Sequence, residues 1–391
     1  MTRPLLIIFL TILVNLVGFG IIIPLLPFYA ESFGASPLVI GLLFAVFSLC
    51  QLVSAPALGD LSDRYGRRPV LIFSLLGTVI SFAMLALAHS IAMLFAARIV
   101  DGLSGGNIST ARAYVADVTE PKDRARAYGL IGAAFGLGFI LGPALSGLLA
   151  GVSYTAPIWA AATVTLVATL MAWFWLPETV HRARAGAGNP FRFLPELVQR
   201  PLVRRVLAID FIYWFAFAMF QTTFALFAAR RFGFDAGRTG YFLAGFGLLS
   251  AIIQGGFIRP IVARLVDKPV FRLGLVCGEA GLVFAAASHS VPMFTVALVP
   301  LAFGIGFGHP TMSSLVSRVG RGDEQGRVQG AASAVESLGR TIGPVWGNAS
   351  LQQYGESTPY ISAAAFLLVA LLLSVGFQVG DPDSVSPIAK M

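Results

Sequence analysis

The chain has 391 residues, of which 57% are hydrophobic and only 12% charged, with a formal net charge of +8. Soluble domains carry about 25% charged and about 45–50% apolar residues, so an ordinary soluble enzyme or binding module is excluded and a polytopic membrane protein is indicated. The basic residues fall in alternate loops, which assigns the charge to membrane topology rather than to nucleic acid.

Twelve apolar segments reach the length of about 20 residues that spans a bilayer. They lie near 5–30, 37–58, 70–88, 91–115, 126–150, 156–176, 203–229, 237–258, 270–288, 291–316, 326–349 and 357–379. The first follows directly on Met1 to Pro4 and is too long for a signal-peptide core, so a retained first helix is expected. Cys50 and Cys277 lie inside apolar runs, where no disulfide framework is expected.

With both termini in the cytoplasm, all but five of the 27 Lys and Arg residues fall in inner loops and tails. Arg230, Arg231 and Arg238 lie outside, and Arg98 and Arg340 within the membrane. That asymmetry predicts an even number of spans. The expected location is a prokaryotic inner or plasma membrane.

The first segment runs Asn15 to Pro27 through Gly18, Gly20 and Pro24. Between the second and third lies Gly59-Asp-Leu-Ser-Asp63-Arg64-Tyr-Gly66-Arg67-Arg68, five charges in ten residues. Such a cluster between two spanning segments is a short loop at the lipid–water boundary. Positive-inside topology explains Arg64, Arg67 and Arg68, but not the acid at Asp63. The fourth segment carries Arg98 and Asp101, three apart and on one helix face. Ionisable residues inside a membrane face a cavity or a partner. The fifth carries Gly138, Gly142, Pro143 and Gly147, a spacing that permits close helix approach and a bend.

The hydrophilic stretch 177–202 divides the chain into an N-terminal bundle (1–180), a cytoplasmic basic linker (181–202) and a C-terminal bundle (203–391). Residues 181–205 are expected to meet anionic lipid headgroups through an interfacial segment near Pro190 to Arg205. An internal repeat supports two halves: shifted by 201, Gly129, Gly138, Gly142 and Pro143 meet Gly330, Gly339, Gly343 and Pro344, and Asp123 meets Glu324. The loop 59–68 has a degraded counterpart at 259–269, where Asp63 corresponds to Ala263 and Gly66 to Val266.

Gly59, Asp63, Gly66, Arg67 and Arg68 match the loop between helices 2 and 3 of the major facilitator superfamily of transporters, and the chain is identified as a member by resemblance. Arg98 matches a helix 4 motif linked there to proton coupling. Gly138 to Gly147 resembles the antiporter motif of drug:proton exchangers. Asn15 to Pro27, Ala113 to Asp117 and Glu324 to Gly330 look like the tetracycline-efflux branch and its multidrug relatives. The resemblance covers nearly the whole chain. It departs from those exporters at Asn15 and Ser81, where they carry acids, and at Asp101, where the usual residue is uncharged.

The resemblance implies an all-α fold of twelve transmembrane helices in two pseudo-symmetric six-helix bundles. It implies alternating access, a proton gradient as the energy source and no cofactor. Asp63, with Gly59, Arg64, Gly66, Arg67 and Arg68, would latch helix 2 to helix 11 in the outward-open state. The expected activity is export of small amphipathic, drug-like compounds by proton antiport. The alternative is an exporter or uniporter of sugars or other polar metabolites, and a transporter-derived receptor or scaffold is a remote third.

Candidate proton-coupling residues are Glu336, Asp101, Glu279 and Asp210, with Arg98 and Arg340 as partners. A rise of about 1.5 Å per residue puts Glu279 and Glu336 near mid-helix. Glu336 precedes Arg340 by four, a favourable pairing order. Asn15, Gln51, Gln221, Gln254 and His309 are candidate polar groups of a substrate cavity; each also serves as an ordinary interhelical hydrogen-bonding residue in the plainer reading. No catalytic, metal-binding or phosphate-loop motif appears, so neither an enzyme nor an ATP-driven pump is expected. The expected form is a monomer without nucleic-acid partners.

Overall fold

The structure, a computed structural model, describes residues 3–105, 107–120, 123–179, 194–257, 261, 267–320 and 325–376. Most of the 181–202 linker, residues 259–260 and 262–266 of the repeat loop, and Glu324 lie outside the described residues. Among the described residues there is no strand.

The N-terminal half contains α1 (Arg3–Glu31), α2 (Pro37–Tyr65), α3 (Arg67–Ala86), α4 (Ile91–Ser104), α5 (Asn107–Val118), α6 (Arg124–Ala150) and α7 (Ala156–Trp175). A short α8 (Leu194–Val198) precedes the second half. That half contains α9 (Pro201–Phe232), α10 (Ala236–Ile252), α11 (Asp267–Ala286), α12 (Val291–Val319), α13 (Gln325–Tyr354) and α14 (Thr358–Ser374). Helix α10 continues into a π-helical turn over Ile253–Phe257.

Among the described residues, nine helices are long and apolar enough to cross a membrane. The remaining predicted segments differ for identifiable reasons. The segment 91–115, expected as one helix, is two: α4 ends at Ser104 and α5 begins at Asn107, with Gly105 between. Helix α13 is 30 residues long but interrupts its apolar face with Gln329, Glu336, Ser337 and Arg340. Helix α14 has 17 residues.

The internal repeat extends to capping. The Oγ of Ser90 accepts the Met93 N–H at the start of α4, and that of Ser290 accepts the Met293 N–H at the start of α12, each at 3.4 Å. A serine in extended backbone just before an apolar run satisfies one of the orphan donors of the first turn.

The apolar core follows the two halves. One large cluster is built from α8 to α14 with Ile23 as the guest. Two others are built from α1 to α7, one of them joined by Leu226, Ala236 and Leu351. Between the halves, α2 packs on α13 and α6 on α10. Both seams depend on glycine. A Cβ on Gly41 would stand 2.5 Å from the Pro344 carbonyl oxygen, and one on Gly240 would stand 2.6 Å from the Pro143 carbonyl oxygen. Small residues let helix backbones meet in lipid, where no hydrophobic force draws them together. At the same end, the Leu38 N–H donates to Gln352 Oε1 at 3.1 Å, and Arg230 lies 3.8 Å from Glu31 across the halves. This is the end that the loop charges predict to lie outside, and here the halves are closed on one another.

Candidate functional site

Between the halves lies a cavity of about 610 Å³. It reaches from Ile23 and Gln221 down to Pro56 on α2 and Gly330 on α13, towards the end that carries the 59–68 loop. Its walls are aromatic, with eight phenylalanines and Trp214. All five polar groups singled out from the sequence line it: Asn15 on α1, Gln51 on α2, Gln221 on α9, Gln254 on the π turn and His309 on α12. Gln51 also stitches the broken fourth segment, donating from Nε2 to the Gly105 carbonyl at 3.1 Å, while Ser54 Oγ donates to the Gly102 carbonyl at 3.0 Å. Non-helical backbone at membrane depth is tolerated where it borders such a cavity.

Two charged groups of residues border the cavity. On the N-terminal side, Arg98 Nη1 donates to Asp101 Oδ2 at 2.8 Å. Arg98 is 1% exposed, and its guanidinium carbon sits 4.1 Å from the centre of the Phe47 ring. On the C-terminal side, Arg340 Nη1 lies 3.8 Å from Glu336 Oε2 and its Nη2 donates to Ser337 Oγ at 3.1 Å. Its guanidinium lies 5.0 Å from the Trp214 ring centre, and Trp214 meets His309 edge-on. Asp210 on α9 is 1% exposed, its Oδ2 has no hydrogen-bond partner among the described residues, and Glu336 and Arg340 act on it electrostatically.

Asp101, Glu336 and Arg340 thus line the cavity, and Arg98 and Asp210 stand directly behind it. Glu279 does not belong to this group: it is half-buried on α11 and does not line the cavity. Helix position alone placed it at mid-membrane, but not on the inner face of the bundle.

The 59–68 stretch, expected as a loop, is helical apart from Gly66: residues 59–65 close α2, Arg67 and Arg68 open α3, and the stretch is held within its own half. Asp63 Oδ1 lies 2.5 Å from Arg67 Nη2. Arg67 also donates to Ser62 Oγ at 2.6 Å and from Nε to Asp117 Oδ2 at 3.2 Å. Arg64 pairs with Asp60 at 2.9 Å, and Arg68 donates to the Trp173 carbonyl. Glu178, just after α7, accepts the backbone N–H groups of Arg67 at 2.9 Å and Arg68 at 3.1 Å, capping the positive end of α3. Gly66 has φ +111°, and a Cβ there would run into the Glu178 carboxylate. Gly59 has open space around it.

The sequence matches the profile of the Major Facilitator Superfamily over residues 8–344 and again over 267–389. The chain belongs to the major facilitator superfamily. It is 34% identical over 342 residues to the class C tetracycline resistance protein of Escherichia coli, covering 86% of each chain. It is 31% identical over 420 residues to major facilitator superfamily domain-containing protein 10 of Bos taurus, covering 94% of this chain and 91% of that one. Its fold superposes on the crystal structure of the human organic anion transporter MFSD10 with a TM-score of 0.74 at 26% identity, covering 95% and 99% of the two chains. It superposes on the nucleoside transporter NupG with a TM-score of 0.81 at 12% identity, covering 95% and 98%, a likeness of fold alone. The protein is therefore an integral membrane transporter and not an enzyme.

In this superfamily member the glycines of the fifth segment form a seam. Gly138 packs on Leu16 and Gly142 on Gly20 of α1, while Gly147 meets Gly237 and Gly240 of α10 in the other half. Pro143 lines the cavity beside them. The motif carries no ionisable group; it sets how closely three helices approach. Sequence reasoning missed Arg112, Trp214 and Glu178. Arg112 was counted with the inner-loop cations, whereas it stands exposed on the cavity wall. Its only sequence signal was a cation three residues inside the edge of an apolar segment. Glu178 was read only as part of the Pro-Glu-Thr start of the linker.

Proposed function

We propose that this transporter exports small amphipathic compounds in exchange for protons. The observation that carries the reading is the cavity between the halves, where Glu336 and Arg340 stand among amide side chains and aromatic walls. Aromatic walls take apolar bodies and the few fixed polar groups orient them. The tetracycline resistance proteins and the organic anion transporter MFSD10 among its relatives support compounds of this kind.

In this reading the bundles 1–180 and 203–391, twelve spans in all, rock about the cavity, joined by the 181–202 linker on the anionic cytoplasmic leaflet. Both termini are cytoplasmic, and the protein is a monomer of a prokaryotic inner membrane. Glu336 carries the proton, with Asp210 and Arg340 setting its surroundings. Asp101 with Arg98 is the second proton-coupling pair. Asp63 and its basic neighbours latch α2 to α13 when the inner end closes; the closed outer seam and the Asp63–Arg67 pairing within one half fit a state with that latch released.

Glu336→Gln tests the reading. In acid-loaded inside-out vesicles the variant keeps compound binding and loses compound-driven proton release. Proton release at the wild-type rate would remove Glu336 from the role. Asp63→Asn slows the cycle without unfolding the protein, and transport at wild-type rate contradicts the latch. The amides Asn15, Gln51, Gln221 and Gln254 favour a second reading, a polar metabolite bound through its hydroxyl groups; sugar uptake without proton release distinguishes it.

A further inference from the structure

We propose that Arg112 anchors an acidic group on the transported compound, so that the cavity selects amphipathic aromatic acids. The inference rests on the reading of this cavity as the substrate path.

Arg112 lies on α5, just past the break at Gly105, and is exposed on the cavity wall. Among the described residues it makes no hydrogen bond or ion pair. The other guanidinium groups at the cavity are engaged. Arg98 holds Asp101 at 2.8 Å and covers Phe47; Arg340 faces Glu336, donates to Ser337 and covers Trp214. Among the described residues, the N-terminal wall therefore carries one guanidinium with no acid paired to it: Arg98 holds Asp101, and Arg112 remains.

A guanidinium presents five donors in a rigid planar fork that matches a carboxylate, sulfonate or phosphonate in bidentate geometry. The same cavity is lined by eight phenylalanines and Trp214, which hold an aromatic body and reduce competition from water. A cation in an aromatic chamber is the complement of an aromatic acid.

The competing occupant is Glu336. Arg112 comes from the opposite half and acts electrostatically on Glu336, His309 and Arg340. Glu336, however, already has Arg340 at 3.8 Å on its own helix. An arginine that serves Glu336 affects every compound alike. An arginine that binds substrate affects only compounds bearing the acid.

The test uses full-length protein in inside-out vesicles and a panel of aromatic bodies, each as the carboxylate, the methyl ester and the amine. Wild-type protein accumulates carboxylates at lower half-saturating concentration than their esters. A charge-assisted hydrogen-bond pair is worth enough that Arg112→Gln raises the carboxylate value by about tenfold or more. The esters change far less, and Arg112→Lys recovers part of the loss. If Arg112→Gln is poorly inserted, the Lys variant alone still shows a loss confined to carboxylates. Equal losses for all three forms in folded Arg112→Gln or Arg112→Lys protein overturn the anchor. Wild-type transport of esters and amines without carboxylates also overturns it and leaves the transport reading intact. Accumulation of none of the panel removes the transport reading and the anchor with it.

Discussion

Asp117 and Arg318 occupy equivalent places in the two repeats and carry opposite charge. Asp117 near the end of α5 pairs with Arg67, the first residue of α3, at 3.2 Å. Arg318 near the end of α12 pairs with Asp267, the first residue of α11, at 2.7 Å. The partners are offset by 201 and 200 positions, the shifts of the sequence repeat. Each half thus fastens the same two helix ends with the charges exchanged.

The C-terminal pair is also supported by Ser314, which donates to Asp267 at 2.7 Å. Asp267 is buried and Arg318 is 40% exposed on its side chain, so the solvent-screened pair is worth less than a buried one. Asp267→Asn is expected to cost about 1–3 kcal/mol, read as a lower unfolding temperature in detergent. The exchange Asp267→Arg with Arg318→Asp is expected to recover much of it. A double variant no better than Asp267→Asn would show that the charges do not hold these ends.

Glu178 and Gly66 act together at the turn between α2 and α3. Glu178→Ala removes two backbone hydrogen bonds at the N-terminus of α3 and is expected to cost about 1–2 kcal/mol. Gly66→Ala is expected to cost more, because its φ of +111° disfavours a side chain and the Cβ meets Glu178. Thermal unfolding of the two variants checks the order. Gly66→Ala as stable as wild type contradicts the account of this turn.

Asp101→Ala leaves the guanidinium of Arg98 buried without its acid, at a cost of about 3–5 kcal/mol. Replacing both, Arg98→Met with Asp101→Leu, is expected to fold close to wild type. That double variant separates structure from function. It loses proton-coupled transport if the pair belongs to the coupling route, and normal transport would make the pair purely structural.

At the closed seam between α6 and α10, Gly240→Val places a side chain against the Pro143 carbonyl and Gly147. The halves then separate at this end. A cysteine introduced for Gln221 in a background lacking Cys50 and Cys277 is expected to label from the outside several-fold faster when Gly240→Val is present. Unchanged labelling would mean that this seam does not close the cavity.

Much of this was legible in the sequence. Most of the apolar segments fall on single helices, because hydropathy reports directly on what lipid and a packed bundle tolerate. The five cavity polar groups were legible because an amide or imidazole inside a long apolar run has few other places to point. The break at Gly105 was not, because 91–115 is continuous in hydropathy and the small residues that permit a break also suit helix packing. Arg112 escaped because a cation near the edge of an apolar segment reads as topology. Its place on the cavity wall depends on the tertiary arrangement of α5. Glu279 looked equivalent to Glu336 by depth, and only the packing of α11 against α12 and α14 turns it away from the cavity. The Glu178 cap joins residues more than a hundred positions apart, beyond any local pattern.

The measurement that bears most directly on the central claim is compound-driven proton release from acid-loaded inside-out vesicles, followed with a pH dye. Wild-type protein is expected to release protons when an amphipathic compound is added, and Glu336→Gln protein to bind the same compound without releasing them. Compound binding by wild-type protein with no proton release across the whole panel would contradict antiport and return Glu336 and Asp101 to structural ion pairs.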